Sequence, residues 1–204
     1  MGIPKGLAAV PGWERLPADL AHRDVAAVAV DRNDRVYLAT RMRSCIFVYE
    51  QDGTFVRTWG EGLFSDRLHG LTIHPDGTLF VVDDGGNSVR HFTTEGKELA
   101  PIGPVGKTSD TGYDGTNLAT VARAAGPYNR PTNIAVAPNG DLYVSDGYGN
   151  ARVHQVSPDG RLLLFTSNRA GPRQVFVMRP DGTGAQNVSR SEAADWATSW
   201  QPVR

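Results

Sequence analysis

Apolar and polar positions along the chain alternate in short runs separated by turn signals, and this arrangement occurs three times. The copies lie at residues 25–39, 68–82 and 131–145, and each consists of an apolar run, a turn and a second apolar run. The turns contain Asn-Asp, Asp-Gly and Asn-Gly pairs, and such pairs accept the positive φ that tight hairpins require. The pattern therefore predicts three antiparallel β-hairpins.

Each hairpin is followed by a further apolar run and by another turn, at Asp52-Gly53, Glu95-Gly96 and Asp159-Gly160. The first unit adds a clear fourth strand at residues 54–59. Four short strands in about 42 residues are typical of one blade of a β-propeller. The interval between the second and third closing turns is longer, which predicts an insertion of about 20 residues within 103–130. Residues 117–125 of this insertion favour a short helix, with Thr116 or Asn117 as its N-cap.

The pattern changes after residue 165, where the glycine spacing differs from that of the first three units. We interpret residues 1–22 as a lead-in, 23–164 as three blades and 165–204 as a partial fourth blade of another type. The predicted fold is all-β, a β-propeller segment of four-stranded antiparallel blades. Three or four blades do not close a ring of the usual radius, so both ends would present unpaired strand edges. Three interpretations follow: a truncated or recombined gene product, a member of an assembly that self-associates through these open edges, or an open arc.

Composition limits the function classes. Lys and Arg total 21 and Asp and Glu total 22, giving a formal net charge of −1; a basic footprint for nucleic acid or an acidic membrane surface is therefore not expected. The single cysteine, Cys45, excludes an internal disulfide and a cysteine-based zinc cluster. No apolar run reaches the ~18 residues of a membrane span. Residues 1–20 lack a continuous apolar stretch, so we expect no secretory leader and a cytoplasmic location by default.

Several stretches carry a family resemblance. Residues 23–164 resemble the NHL-repeat six-bladed propellers, and specifically the peptidyl-α-hydroxyglycine α-amidating lyase branch, which is often secreted. Residues 145–153 contain the most specific motif, Asp-Gly-Tyr-Gly-Asn-x-Arg. Residues 163–204 instead resemble a TolB-type propeller repeat. The stretches that carry the two resemblances are 28–31, 57–62, 68–71, 126–132 and 145–153 for the first, and 165–169, 175–182 and 195–200 for the second.

The resemblance implies a site. Lyases of this family cleave a C-terminal α-hydroxyglycine to a peptide amide and glyoxylate, using a zinc held by three histidines, a tyrosine base and arginines that hold the substrate carboxylate. The family's first arginine falls on Arg41, its first zinc histidine on His69 and its tyrosine on Tyr148. Its structural calcium is bound by main-chain carbonyls that fall on Val28 and Leu71. The other two histidines and the second arginine belong to later blades, which this chain does not match beyond about residue 164.

Each site residue also has a structural interpretation. His69 fits a histidine that lines the channel without a metal, because none of the other four histidines obviously completes a zinc site. Tyr148 fits a tight turn between strands at 146–150, in which an Asx side chain closes the backbone. Arg41 fits a solvated charge at a strand end, beside Arg43.

Two function classes follow. The first is a lyase-like propeller protein acting on a small peptide or peptide-like substrate, with an incomplete zinc site and weak or no activity. The second is a non-catalytic module that binds a peptide or protein partner through the channel face and the insertion. Zinc binding that requires His69 would favour the first class. Partner binding that survives His69→Ala and Tyr148→Phe would favour the second.

Overall fold

The computed structural model describes residues 10–42, 45–123, 125–167, 174–179 and 181–190. In this part of the chain, fourteen strands form three antiparallel sheets. The first sheet has the order β1-β2-β3-β4 and the second β5-β6-β7-β8, so neighbours in each sheet are neighbours in sequence. The strands are β1 Val25–Val30, β2 Val36–Thr40, β3 Cys45–Tyr49, β4 Phe55–Trp59, β5 Leu68–Ile73, β6 Leu79–Asp83, β7 Ser88–Phe92 and β8 Glu98–Pro101.

The third sheet has six strands in the order β14-β13-β12-β11-β10-β9. A single helical turn, α1 (Gly147–Asn150), joins β10 to β11. The strands are β9 Asn133–Val136, β10 Leu142–Asp146, β11 Arg152–Val156, β12 Leu163–Ser167, β13 Gln174–Met178 and β14 Gln186–Asn187. The predicted all-β propeller segment is thus confirmed, and the three predicted blades correspond to the three sheets.

The hairpin turns lie where the sequence placed them. Asp34, Gly77 and Gly140 have φ values of 61°, 90° and 88°, each in the turn between the first two strands of its sheet. Glycine adopts this left-handed conformation without steric cost, and Asp tolerates it better than most residues. The turn residues therefore fix the register of each hairpin.

The sheets pack face to face through two apolar clusters. One joins the first two sheets and includes Tyr37, Ile46 and Val81, all fully buried. The other joins the second and third sheets and includes Val82 and Val144, also fully buried. The first strand of each sheet contacts its counterpart in the next, β1 against β5 and β5 against β9. These three strands form the inner edge of the segment, so chemical groups at their ends can meet.

The insertion differs from the predicted helix. Among the described residues of the insertion, Leu118–Thr120 alone are helical, as one 3₁₀ turn. Asn117 caps this turn as expected, by accepting a hydrogen bond from the Ala119 N–H. The chain then extends at Val121. The backbone N–H groups of residues 122 and 123 both donate to the Thr111 carbonyl, at 2.9 and 3.2 Å. Packing within the insertion thus provides hydrogen bonds that a longer helix would otherwise supply.

The C-terminal strands extend the third sheet. β12 pairs with β13 along its whole length, from Leu163↔Met178 to Ser167↔Gln174, and β13 pairs with β14. The boundary predicted at residue 165 therefore lies inside β12, and the strands expected in a separate fourth blade are continuous with the third. The unpaired edge of β12 explains this continuity, because an antiparallel hairpin can add to it directly. The motif at 195–200 lies outside the described residues.

We expect Gly70→Ala to reduce stability by about 2 kcal/mol, because overpacking in a tight contact forces backbone shifts. A Cβ at Gly70, on β5, would lie 2.7 Å from the Thr132 carbonyl oxygen and 3.0 Å from the Asn133 Cα. Gly147→Ala is the matched control, since a Cβ there meets nothing within 4 Å. Chemical denaturation measures both changes. Equal stabilities of the two variants would show that β5 and β9 are not closely packed.

Candidate active site

Arg41 lies directly after β2, at the inner end of the first sheet. Its Nε donates to the Leu68 carbonyl at 3.1 Å, and its side chain is 3.5 Å from the Asp24 carboxylate. The Arg41 backbone N–H also donates to the Asp24 carbonyl. These contacts hold the arginine of the first sheet against the first residue of β5. The side chain remains 35% exposed, so its guanidinium can also reach a ligand.

His69 is the second residue of β5 and is half-buried. Leu68 pairs with Asp83 but Gly70 pairs with Val82, so His69 is the extra residue of a bulge. A bulge turns one side chain away from the regular alternation of the strand. His69 Nε2 lies 3.2 Å from Tyr148 Oη, and the two rings meet edge-on with centroids 5.6 Å apart. The structure therefore brings together two predicted site residues that are 79 positions apart.

Tyr148 lies in α1, and buried contacts fix this turn. The Asp146 carboxylate, fully buried, accepts hydrogen bonds from the Asn129 backbone N–H at 3.0 Å and from Asn150 Nδ2 at 2.5 Å. It also lies 2.7 Å from His154 Nε2. No hydrogen bond from the α1 backbone to the Asp146 side chain caps this turn. Tyr148 is 44% exposed. The buried contacts of Asp146 therefore fix a turn that presents Tyr148 to solvent.

Arg67, Asp84 and Arg130 lie beside this pair and are not among the site residues predicted from the sequence. Arg130 Cζ lies 5.0 Å from the centroid of the Tyr148 ring, a cation–π geometry. Arg130 Nε and Arg67 Nη2 each donate to Asp84, at 3.0 and 2.5 Å. The hydrogen bond to Asp84 raises the pKa of Arg67 above its ordinary value. In the sequence, Arg67 stands two positions before His69, and Arg130 lies in the stretch 126–132 that carries the resemblance.

The described residues do not fit a three-histidine zinc site. Every histidine of the chain is described, and the four besides His69 have other partners: His22 contacts Glu14, His74 contacts Asp76, His91 contacts Thr78 and His154 contacts Asp146. No cluster of three or more His, Cys, Asp or Glu suited to a metal occurs in the described part of the chain. Zinc usually requires at least three protein ligands, and His69 provides one.

The calcium ligands stay a prediction. Val28 lies on β1 opposite Leu38, and Leu71 lies on β5 opposite Val81. β1 and β5 contact each other, so the two residues are on neighbouring inner strands. Two carbonyls alone are fewer than the six to eight oxygen ligands that calcium takes.

No helix in the described ranges is long and apolar enough to cross a membrane.

Comparison with known proteins supports the family resemblance. The family model of the NHL repeat matches residues 128–156. Over 107 residues the chain is 32% identical to peptidyl-alpha-hydroxyglycine alpha-amidating lyase 1 of Drosophila melanogaster, covering 52% of this chain and 18% of the relative. The chain is thus similar to an NHL repeat over residues 128–156 and to an amidating lyase over about half of its length.

Two further comparisons show similarity to a lyase sequence and to a solved structure. The probable peptidyl-alpha-hydroxyglycine alpha-amidating lyase pgal-1 of Caenorhabditis elegans is 28% identical over 118 residues, which cover 58% of this chain and 30% of that protein. The matched region of this chain thus spans less than a third of the length of these two relatives. A streptogramin B lyase structure superposes with a TM-score of 0.51 at 14% identity, covering 86% of this chain and 58% of the other. This last similarity supports the propeller fold alone.

Proposed function

We propose that the chain is an amidating-lyase-like propeller protein. Its site binds a peptide through the C-terminal carboxylate and cleaves that peptide weakly or not at all. The contact between His69 and Tyr148 carries this proposal, because it joins two blades beside Arg41. The names of the curated relatives supply the substrate class, a peptidyl-α-hydroxyglycine. The absence of further histidines around His69 among the described residues supports weak turnover.

In this proposal the three residues have separate roles. Arg41 binds the substrate carboxylate, since a guanidinium offers a planar pair of donors to two carboxylate oxygens. Tyr148 Oη and His69 Nε2 are 3.2 Å apart and contact each other directly, and the substrate hydroxyl binds beside this pair. No step is assigned to zinc, because one histidine does not hold the ion tightly.

Arg41→Gln is expected to weaken the binding of a glycine-extended peptide, a stable analogue of the substrate, by about tenfold. The loss corresponds to about 1.4 kcal/mol, the value of one charge-assisted interaction at a partly exposed site. Isothermal titration calorimetry measures it. Arg15→Gln is the control, because this side chain is 61% exposed and pairs with the exposed Asp52, at 3.2 Å. Identical affinities of the Arg41→Gln and Arg15→Gln variants would contradict the role of Arg41.

A second candidate is a non-catalytic module that binds a peptide or protein partner. A groove of about 660 Å³ favours it, lined by the end of β8, the start of the insertion at Gly103 and Pro104, and Arg161 and Arg179. Capture of a partner that is unchanged by His69→Ala and by Tyr148→Phe would support this module. Tyr143→Phe, on the half-buried face of β10, is the control for Tyr148→Phe.

A further inference from the structure

Two arginines from different blades share one buried carboxylate beside the candidate site. Arg67 comes directly before β5, and Arg130 lies between the insertion and β9. They hydrogen-bond to different oxygens of Asp84, whose side chain is 1% exposed. The Arg67 and Arg130 side chains are 49% and 36% exposed. Within this hydrogen-bonded group two positive charges face one negative charge, and the exposed Asp66 adds a second negative charge beside Arg67. Both guanidinium groups remain partly exposed to solvent.

The geometry of this group is fixed in advance. The Arg130 backbone N–H donates to Asn87 Oδ1 at 2.8 Å, and Arg130 has a φ of 63°, in the left-handed region. Such a conformation costs free energy in a residue other than glycine, and the Asn87 and Asp84 contacts hold it. Ligand binding then requires less ordering of the side chain, which favours affinity.

The group is also continuous with the site. Arg130 lies over the Tyr148 ring, and Tyr148 contacts His69. Arg41 donates a hydrogen bond to the carbonyl of Leu68, the residue before His69. Direct contacts thus connect Arg41 at one end to Arg130 at the other. An extended peptide advances by about 3.3–3.6 Å per residue. A peptide with its C-terminal carboxylate at Arg41 and its chain running toward Tyr148 would therefore bring the residue before the C-terminal one closer to Arg67 and Arg130.

We propose that Arg67 and Arg130 form a second carboxylate-binding site, which takes the acidic side chain of the residue before the C-terminal residue of the peptide. This inference rests on the proposed function, because it needs the peptide C-terminus at Arg41. Hydrogen bonds within the described part of the chain use one N–H of each guanidinium. A guanidinium has five N–H donors, so both arginines retain donors for a carboxylate. The substrate class is therefore peptides with Glu or Asp in the penultimate position.

The test compares two peptides that end in Glu-Gly and Gln-Gly and are otherwise identical. The wild-type chain is expected to bind the Glu peptide about fivefold more tightly at low ionic strength, the upper range for partly exposed ion pairs. Arg67→Gln and Arg130→Gln reduce this preference to near unity, whereas Arg67→Lys retains part of it. Arg41→Gln weakens both peptides to the same extent and keeps the preference. Added salt reduces the preference through screening.

Each other outcome has a defined meaning. Equal binding of both peptides to the wild-type chain overturns the second site and leaves the proposed function intact. A preference for Glu that persists in both glutamine variants overturns the assignment to Arg67 and Arg130. Failure of both peptides to bind overturns the proposed function and this inference together. Circular dichroism checks that each variant folds. If Arg130→Gln does not fold, Arg67→Gln still decides the test, because the Arg67 side chain is 49% exposed.

Discussion

Asp146→Ala is expected to lower the free energy of unfolding by about 3 kcal/mol or more. The carboxylate is fully buried and is bonded to the Asn129 backbone N–H, Asn150 Nδ2 and His154 Nε2. Its removal leaves these buried polar groups without their partner. The free-energy cost of an unpaired buried polar group exceeds the net stability that one hydrogen bond contributes. For a chain of this size the change corresponds to a fall in Tm of about 9 °C. Differential scanning calorimetry measures it.

Two variants control for this result. Asp19→Ala replaces an exposed aspartate, and such surface changes usually remain within about 0.5 kcal/mol. Asp146→Asn keeps an acceptor oxygen for the Asn129 N–H, so a smaller loss than that of Asp146→Ala is expected. A stability of Asp146→Ala close to that of Asp19→Ala would show that this carboxylate does not hold the turn that carries Tyr148.

The 204-residue chain, confirmed as a monomer, is expected to release glyoxylate from a peptidyl-α-hydroxyglycine at a rate close to that of the zinc-containing buffer. The reason is ligand count, because one histidine retains little of the binding free energy that several ligands provide. The other four histidines are engaged with partners elsewhere in the fold. A symmetric pair of chains would contribute two suitable imidazoles, still fewer than three.

The control is His69→Ala, which should show the same low rate with and without added zinc. A glyoxylate assay performed across a zinc titration, followed by chelation, separates the possibilities. Rapid turnover that disappears both on chelation and in His69→Ala would refute the expectation. It would mean that other groups complete the zinc site around His69.

The candidate site was only partly accessible from sequence. The resemblance placed Arg41, His69 and Tyr148 as candidates, but the 79-residue separation of His69 and Tyr148 gave no distance between them. Their contact depends on the packing of β5 against β9 and on the bulge at His69. Whether these residues perform the roles that the resemblance implies stays a prediction. Arg67 and Arg130 had no motif of their own, because their shared partner, Asp84, belongs to a stretch that reads as an ordinary turn.

The sequence by itself determined the hairpins, the blade repeat and the all-β class. These depend on local chemistry, on alternating apolar residues and on turn residues such as Gly77 and Gly140 that accept positive φ. Tertiary structure decided the rest. β13 and β14 joined the third sheet because the edge of β12 offered unpaired backbone groups, and the insertion formed one 3₁₀ turn because Thr111 accepted its hydrogen bonds. Such pairings depend on which groups become neighbours when the chain is packed, and local sequence does not encode that proximity.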